Sequence, residues 1–186
     1  MIILANNPLF NGIAPNVLTE DLREINFHTR IYRKGEILAH QGDVCNRLVI
    51  LIKGSVRGEM IDDSGRLIKV EDIAAPRAIA PLFLFGNENR YPVEVTANEA
   101  TEVIEIPKTS VLKLFRKNEK FLENYMNLSA NYAHTLSDKL FFMSFKTIRQ
   151  KLASYLLRLS NQQQSEHITL NRSQQQLSDY FGVSRP

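Results

Sequence analysis

The sequence predicts an α+β protein in which an N-terminal antiparallel β-roll is followed by a long helix and a C-terminal helix-turn-helix. Three features of the chain predict this order. Short apolar segments punctuated by glycines fill residues 26–106, residues 109–143 contain neither glycine nor proline, and the chain closes on a short helix followed by a glycine-containing turn. We therefore expect three parts, with boundaries at residues 1–108, 109–143 and 144–186.

Composition places the chain among globular proteins and excludes several classes of site. An apolar content of 44% over 186 residues is enough for real cores, whereas a formal net charge of +3 attracts nucleic acid only through a local basic patch. A single cysteine, Cys45, excludes an internal disulfide framework and a metal cluster held by several thiolates. The sequence has no signal-peptide pattern and no apolar run of about 18 residues, so we expect a cytoplasmic protein.

The N-terminal part is predicted to begin with short helical pieces and then to change to strands. Leu18, Leu22 and Ile25 recur at helical spacing, and Pro15 suits a first helical turn. From Asn26 onward, alternating or fully apolar segments are separated by glycine-containing turn sequences. About eight such strands before residue 107 are typical of an antiparallel roll or barrel.

The segment after Pro107 is predicted to be one helix from Thr109 to Met143, about 50 Å long. Residues along it recur at alternating steps of four and three and form a heptad seam: Leu122, Met126, Ser129, Ala133, Leu136, Leu140 and Met143. A second, offset row consists of Phe121, Tyr125, Leu128 and Tyr132. Because a lone helix needs only one apolar face, we predict that the second row covers the β-roll and that the seam pairs with a partner helix. The alternative is a core helix inside one larger domain.

Residues 144–186 are predicted to contain the helix-turn-helix. Ser144 or Thr147 can cap a helix with an apolar stripe of Ile148, Leu152, Tyr155, Leu156 and Leu159. Residues 167–170 are predicted as a short strand, after which Asn171 or Ser173 caps a second short helix that Gly182 ends. Ser184 is placed to cap a further helix, but the sequence stops at Pro186, so we expect the motif to be incomplete.

Two segments of the chain carry a family resemblance. Residues 34–43 (KGEILAHQGD) with residues 48–56 (LVILIKGSV), and residues 174–185 (QQQLSDYFGVSR), resemble the cyclic-AMP receptor/FNR superfamily of bacterial transcription factors. The resemblance covers almost the whole chain. It implies a cyclic-nucleotide-binding-like jelly roll that takes a small-molecule effector, a long dimerisation helix and a winged helix-turn-helix. It also implies a homodimer that binds a double-stranded DNA operator and works with RNA polymerase.

The DNA-binding candidates are Arg172, Ser173, Gln174, Ser184 and Arg185. Arg172, Ser173 and Ser184 lie near helix N-termini, where free backbone amides favour a phosphate. Plain N-capping explains the two serines equally well. Gln174 begins the segment that matches the helix-turn-helix. The resemblance implies that Arg185, at the entrance of the recognition helix, reads a guanine through two hydrogen bonds.

The effector-pocket candidates are Ala80, Pro81, Leu82, Arg90, Tyr91 and Pro92. Family members that bind cyclic nucleotides carry a ribose-binding glutamate and a phosphate-binding arginine at the matching places. Here Pro81 has no polar side chain, and Pro92 has no amide to donate. Arg90 is one residue out of register, which in a strand turns it to the other face. We therefore expect no specific response to cyclic AMP.

The apolar segment at residues 78–85 leaves two alternatives for the pocket. It either lines a cavity for a flat apolar effector such as haem or fills the interior with its own side chains. His40, Cys45, Met126 and His134 have the side-chain types that ligate haem iron, although a lone His or Met is more often a packing or surface residue.

Function is predicted by weighing three classes of protein. A metal-dependent barrel enzyme is disfavoured because His28 and His40 belong to no His-x-His cluster, and no other catalytic set appears. An interaction module that does not bind DNA is favoured only if the natural chain ends near residue 186. We therefore predict an effector-responsive, homodimeric, DNA-binding transcription regulator that is not an enzyme and holds no metal, with a haem-based gas or nitrosative-stress sensor as the alternative.

Overall fold

A computed structural model of the chain describes Leu4, residues 6–62, Gly65 and residues 67–181. The chain divides into two compact units, Met1–Ala130 and Asn131–Pro186. Among the described helices, none combines the length and the apolar character that a membrane crossing requires.

The first unit contains two antiparallel four-stranded sheets, which confirms the predicted roll. Its strands are β1 (His28–Tyr32), β2 (Ile37–Ala39), β3 (Arg47–Lys53), β4 (Ser55–Ile61), β5 (Leu67–Ala74), β6 (Ala78–Ile79), β7 (Glu94–Ala97) and β8 (Thr101–Pro107). One sheet has the order β1-β8-β3-β6 and the other the order β2-β7-β4-β5. Apart from the β4–β5 hairpin, each connection crosses from one sheet to the other, as in a roll rather than a meander.

The core of this unit lies around the central strands β3 and β8. Leu48 to Leu51 are all buried, so both faces of β3 are covered, which explains why its sequence is continuously apolar. Gly54 turns the chain from β3 into β4 at a φ of +83°. A Cβ at this position would lie 2.6 Å from the carbonyl oxygen of Ala100, so the turn requires glycine.

The helices of the first unit are α1 (Pro15–Arg23), α2 (Lys108–Lys117) and the beginning of α3 (Glu119–Phe145), which continues into the second unit. The expectation of one unbroken helix from Thr109 is wrong, because the chain is extended at Asn118 (φ −131°, ψ 100°). The side-chain oxygen of Asn118 accepts a hydrogen bond from the amide of Phe121, so Asn118 caps α3. Its side-chain amide donates to Asp21 of α1 at 2.7 Å, which holds the break in place.

The second unit contains the rest of α3, α4 (Ile148–Gln163) and α5 (Gln174–Phe181). Its small core consists of Tyr155, Leu159 and Phe181. Thr147 caps α4 through a reciprocal bond with Gln150. Ser173 does the same for α5, since its hydroxyl accepts from the amide of Gln176 while the Gln176 side chain accepts from the amide of Ser173.

The predicted strand at residues 167–170 is wrong, because this segment is irregular. The side chain of Gln163 bonds both backbone groups of Thr169, donating to its carbonyl and accepting from its amide, each at 2.9 Å. A side chain thus satisfies the polar groups that a neighbouring strand would otherwise pair.

Candidate functional site

The segment predicted to line the effector pocket forms a tight corner against the roll. The two-residue strand β6 leads into Ala80, whose φ of 46° is left-handed, and a 3-10 helix follows over Pro81–Leu84. Pro81 and Leu84 are buried, whereas Leu82 is half-buried. Four of the eight apolar residues at 78–85 are buried, which favours the second alternative, an interior filled by the protein's own side chains.

This corner is bound to the beginning of α3. The Tyr125 hydroxyl donates a short hydrogen bond to the carbonyl oxygen of Pro81. The Phe85 ring lies 5.8 Å from the Tyr125 ring and 5.7 Å from the Phe115 ring. The Lys108 ammonium lies 4.9 Å from the centre of the Phe85 ring, over its face. The predicted second row thus covers the roll at Phe121, Tyr125 and Leu128.

Residues 89–91 pair with the turn that contains Cys45. The amide of Tyr91 donates to Asp43, and the amide of Cys45 donates to Asn89. Tyr91 is buried, whereas Arg90 is exposed and donates from its guanidinium to the carbonyl of Gly42 at 2.7 Å. The side chain of Arg90 is therefore held at the surface. Pro92, the neighbour of Tyr91, is half-buried.

Burial controls the ionisation of Tyr91 and Cys45, which contact each other. Desolvation by burial raises the pKa of the Tyr91 phenol far above its usual value, and the neighbouring Cys45 thiol raises this pKa further. Burial likewise raises the pKa of the Cys45 thiol. Cys45 is therefore a protonated thiol with little nucleophilic reactivity.

An ion pair that the sequence analysis missed lies beside this segment. Glu105 of β8 is buried, and its carboxylate lies 3.3 Å from the Nε of Arg47 on β3 and accepts from the Tyr32 hydroxyl at 3.2 Å. Arg30 approaches the same carboxylate at 3.8 Å. Burial and the Glu105 charge raise the pKa of Tyr32. The charge of Arg47 is therefore matched by a carboxylate, although its buried Nε makes no hydrogen bond of good geometry.

One narrow gap lies between the two sheets. Its empty volume is about 200 Å³, it is too narrow to admit a water molecule, and its lining consists of Leu38, Ala39, Val49, Ile79, Tyr91, Val95 and Glu105. A ligand the size of haem does not fit this gap without a rearrangement of its lining.

The side chains considered as haem ligands occupy unrelated places. His40 is exposed and lies 3.1 Å from Glu94, whereas Cys45 is buried in the roll. Met126 is exposed on α3. In the second unit, His134 lies 3.1 Å from Asp138. Within the described ranges, the structure forms no cluster of three or more His, Cys, Asp or Glu side chains suited to a metal ion.

The heptad seam is largely exposed wherever its side chains are described. In the first unit, Leu122 and Ser129 are half-buried and Met126 is 62% exposed. In the second unit, Ala133 is exposed, Leu136 is 60% exposed and Leu140 is 68% exposed, values far above those of leucines in a core. The side chain of Met143 lies outside the described part of the structure.

An exposed aromatic pair that the heptad pattern did not include lies beside the second unit's part of the seam. The Phe141 and Phe145 rings lie 5.2 Å apart on α3, and both are exposed. The apolar surface of this helix is therefore wider than two residues per heptad.

The DNA-binding candidates that the structure describes lie at the N-terminal end of α5. Ser173 is its N-cap, and Gln174 is its exposed first residue. Arg172 is exposed, and its guanidinium lies 4.3 Å from the centre of the Tyr180 ring. Ser184 and Arg185 lie outside the described residues.

Two contacts hold α5 against α4, and the sequence analysis identified neither. Lys151 is buried, and its ammonium donates to the carbonyl of Phe181, the last residue of α5, at 3.0 Å. A cation at this end stabilises the unpaired carbonyls of the helix. Arg158 of α4 donates to the Tyr180 hydroxyl at 2.8 Å.

Family models match two separate parts of the chain. A family model for the cyclic nucleotide-binding domain matches residues 29–118, and one for the Crp-like helix-turn-helix domain matches residues 150–186. A cyclic AMP receptor protein from Thermus thermophilus is 28% identical over 167 residues, which span 86% of this chain and 72% of the relative.

Solved structures resemble the chain over about two thirds and over nearly all of its length. The crystal structure of a transcriptional regulator from Thermotoga maritima is 31% identical with a TM-score of 0.64, and the match covers 69% of this chain and 98% of that one. The catabolite activator protein of Thermus thermophilus is 24% identical with a TM-score of 0.67 over 95% of this chain and 81% of that one. These matches confirm the predicted fold class.

Proposed function

Because the chain belongs to the Crp/Fnr family of DNA-binding transcription regulators, as the resemblance in its sequence predicted, we propose that it is a homodimer controlled by an effector other than cyclic AMP. The proposal includes a two-fold-symmetric operator, read by the recognition helix of the helix-turn-helix, and contact with RNA polymerase. The three parts at residues 1–108, 109–143 and 144–186 then sense, pair and bind DNA.

The position of Arg90 is the observation that carries the effector part. It is the only arginine or lysine in residues 78–93, and its guanidinium is bonded to Gly42 at the protein surface. Arg47, which lies beside the buried Glu105, forms an ion pair with it. A cyclic phosphate carries a full negative charge, and burying it without an unmatched cation costs several kcal/mol. These contacts support an effector that is not a cyclic nucleotide.

The exposed heptad seam supports dimerisation. Met126, Leu136 and Leu140 leave a stripe of apolar surface that water contacts in a monomer. A parallel, symmetric pairing of two α3 helices would bury these side chains against their own copies. The exposed rings of Phe141 and Phe145 would then contribute to the edge of the interface.

The DNA-binding part is tested by selection from random duplexes. Full-length protein expressed from its gene is mixed with a random-sequence DNA library, and bound duplexes are sequenced. We expect enrichment of an inverted repeat whose half-sites lie about 10 base pairs apart, because each protomer presents one recognition helix. Absence of any enriched sequence would contradict this part and favour a module that does not bind DNA.

The effector part is tested by isothermal titration of the same protein with cyclic AMP and with cyclic GMP. We expect no saturable heat at micromolar nucleotide concentration. Saturable micromolar binding would contradict the proposal. A buried cyclic phosphate requires an unmatched cation, whereas Arg90 is bonded at the surface and Arg47 is paired with Glu105. A parallel haem titration, followed at the Soret band, separates a haem site from an interior filled by the protein's own side chains.

A further inference from the structure

Two arginines from different elements of the second unit converge on the Tyr180 ring. The guanidinium carbon of Arg172, in the loop before α5, lies 4.3 Å from the ring centre. That of Arg158, on α4, lies 5.8 Å from the same centre. We propose that Arg158, Tyr180 and Arg172 form a binding site for one phosphodiester of the DNA backbone, an inference that rests on the proposed function.

Among the residues whose side chains the structure describes, no carboxylate matches the charge of this cluster. Over the described residues of the chain, neither Arg158 nor Arg172 has a carboxylate within 4.0 Å, and both side chains are exposed. Two arginines of the first unit differ, because Arg47 pairs with Glu105 and Arg57 pairs with Glu59. Two guanidiniums fixed beside one ring repel each other, and an anion between them would remove that repulsion.

The hydroxyl of Tyr180 completes the set of donors. It accepts a hydrogen bond from Arg158, so its own proton remains to be donated. The cluster therefore presents a neutral donor together with two planar guanidiniums. Guanidinium groups bind phosphate oxygens through paired N–H donors, with more directional geometry than an ammonium provides.

The position of α5 in its motif places the cluster near the phosphates of the DNA backbone. Residues 150–186 match a helix-turn-helix, and α5 is the helix before the turn. In this motif the first helix crosses the DNA backbone while the second enters the major groove. Tyr180 belongs to α5, and Arg172 directly precedes its N-cap, so two of the three residues lie on or beside the helix that crosses the DNA backbone.

The test is the salt dependence of binding to a mixed-sequence duplex, which needs no knowledge of the operator. Loss of one phosphate contact lowers the slope of log K against log salt by about 0.9, and a symmetric dimer loses two contacts for each substitution. We therefore expect Arg158→Gln and Arg172→Gln each to lower the slope by about 1.8. Arg158→Lys and Arg172→Lys retain the charge and should retain most of the slope.

Matched variants separate this role from a purely structural one. Arg116→Gln removes the same charge from an exposed position in the first unit and should leave the slope unchanged. Tyr180→Phe keeps the ring but removes the hydroxyl, so it should weaken binding a few-fold without changing the slope. Circular dichroism verifies that each variant is folded. A purely structural role would lower the unfolding temperature of the variant and leave the salt slope unchanged.

Two outcomes overturn the inference, and they are distinguishable. If the unmodified protein binds duplex DNA and both glutamine variants keep its slope, the cluster is not a phosphate site and the proposed function stands. If the unmodified protein binds no duplex even at low salt, the DNA-binding function and the site fail together.

Discussion

The hydroxyl of Tyr125 on α3 donates a hydrogen bond to the carbonyl oxygen of Pro81 in the corner after β6. Both groups are buried. Because Pro81 lies in the proposed effector segment and Tyr125 lies in the first turns of α3, the bond joins that segment to the proposed dimerisation helix. A change in the position of Pro81 therefore acts on α3 through one identifiable contact. The aromatic contacts of Phe85 with Phe115 and Tyr125 surround it.

We expect Tyr125→Phe to destabilise the first unit by about 1–3 kcal/mol, because the Pro81 carbonyl would remain buried without its donor. The phenylalanine ring preserves the packing against Phe85. Urea unfolding followed by circular dichroism measures the change. An unchanged urea midpoint would show that the bond contributes nothing net to stability.

The heptad seam predicts that Leu136→Glu combined with Leu140→Glu yields monomers. Four leucines leave the interface of a symmetric dimer, at about 1.5 kcal/mol or more each, and like charges then face each other. The dissociation constant should rise at least about ten-thousand-fold. Sedimentation velocity measures the oligomeric state, and circular dichroism shows that the roll remains folded.

The matched control for the seam is Asn131→Glu combined with Thr135→Glu. These residues add the same charge to α3 at exposed positions outside the heptad seam. The control should remain dimeric. A dimer that persists in the leucine variant as well would place the interface elsewhere.

We expect Arg185→Ala to weaken specific DNA binding by about 1–3 kcal/mol and to relax the base preference at one position of each half-site. The expectation rests on the resemblance, since Arg185 lies outside the described residues. Competition binding with duplexes that differ at single positions measures both effects. Equal weakening for every DNA sequence would show that Arg185 contacts the phosphate backbone of the DNA and not a base.

Burial of three phenols predicts a loss of stability in alkali. The pKa values of Tyr32, Tyr91 and Tyr125 are raised in the folded protein, mainly by burial. Above the ordinary phenol pKa of about 10, the unfolded chain therefore loses protons that the folded chain retains. The free energy of unfolding should fall as the pH rises past about 10, and the Cys45 thiol adds a fall of the same sign from about pH 8.5.

Urea midpoints between about pH 8 and pH 11 measure this effect, with Tyr91→Phe as the comparison. The variant lacks one of the retained protons, so its stability should fall less steeply with pH. A parallel decline in both proteins would show that Tyr91 does not contribute to the pH dependence.

The fold was predictable from the sequence where the local structure depends on residues that are close together in the chain. Glycines such as Gly54 mark turns that only glycine can make, and the row at Phe121 and Tyr125 follows from helical spacing. The break at Asn118 was missed because apolar periodicity continues across it. Asparagine before Glu119 is an N-cap signal, and it would have located the break. Strand β6 has two residues and therefore shows no alternation.

Much of the candidate site could not be predicted, because its contacts join distant parts of the chain. Glu105 meets Arg47 only through the pairing of β8 with β3, and no local pattern records that pairing. Arg158 meets Tyr180, 22 positions later, through the packing of α4 against α5. Lys151 resembles an ordinary surface lysine in the sequence, although it is buried at the end of α5.

The capped break at Asn118 also resets the helical phase. In one continuous helix, each inserted residue would rotate everything after it by about 100°. Here the orientation of the first turns of α3 is set by the bonds of Asn118 to Asp21 and Phe121. An insertion or deletion in α2 that leaves these bonds intact would therefore keep Tyr125 facing Pro81 and Met126 facing solvent. The length of α2 can thus vary without turning the surface proposed for dimerisation.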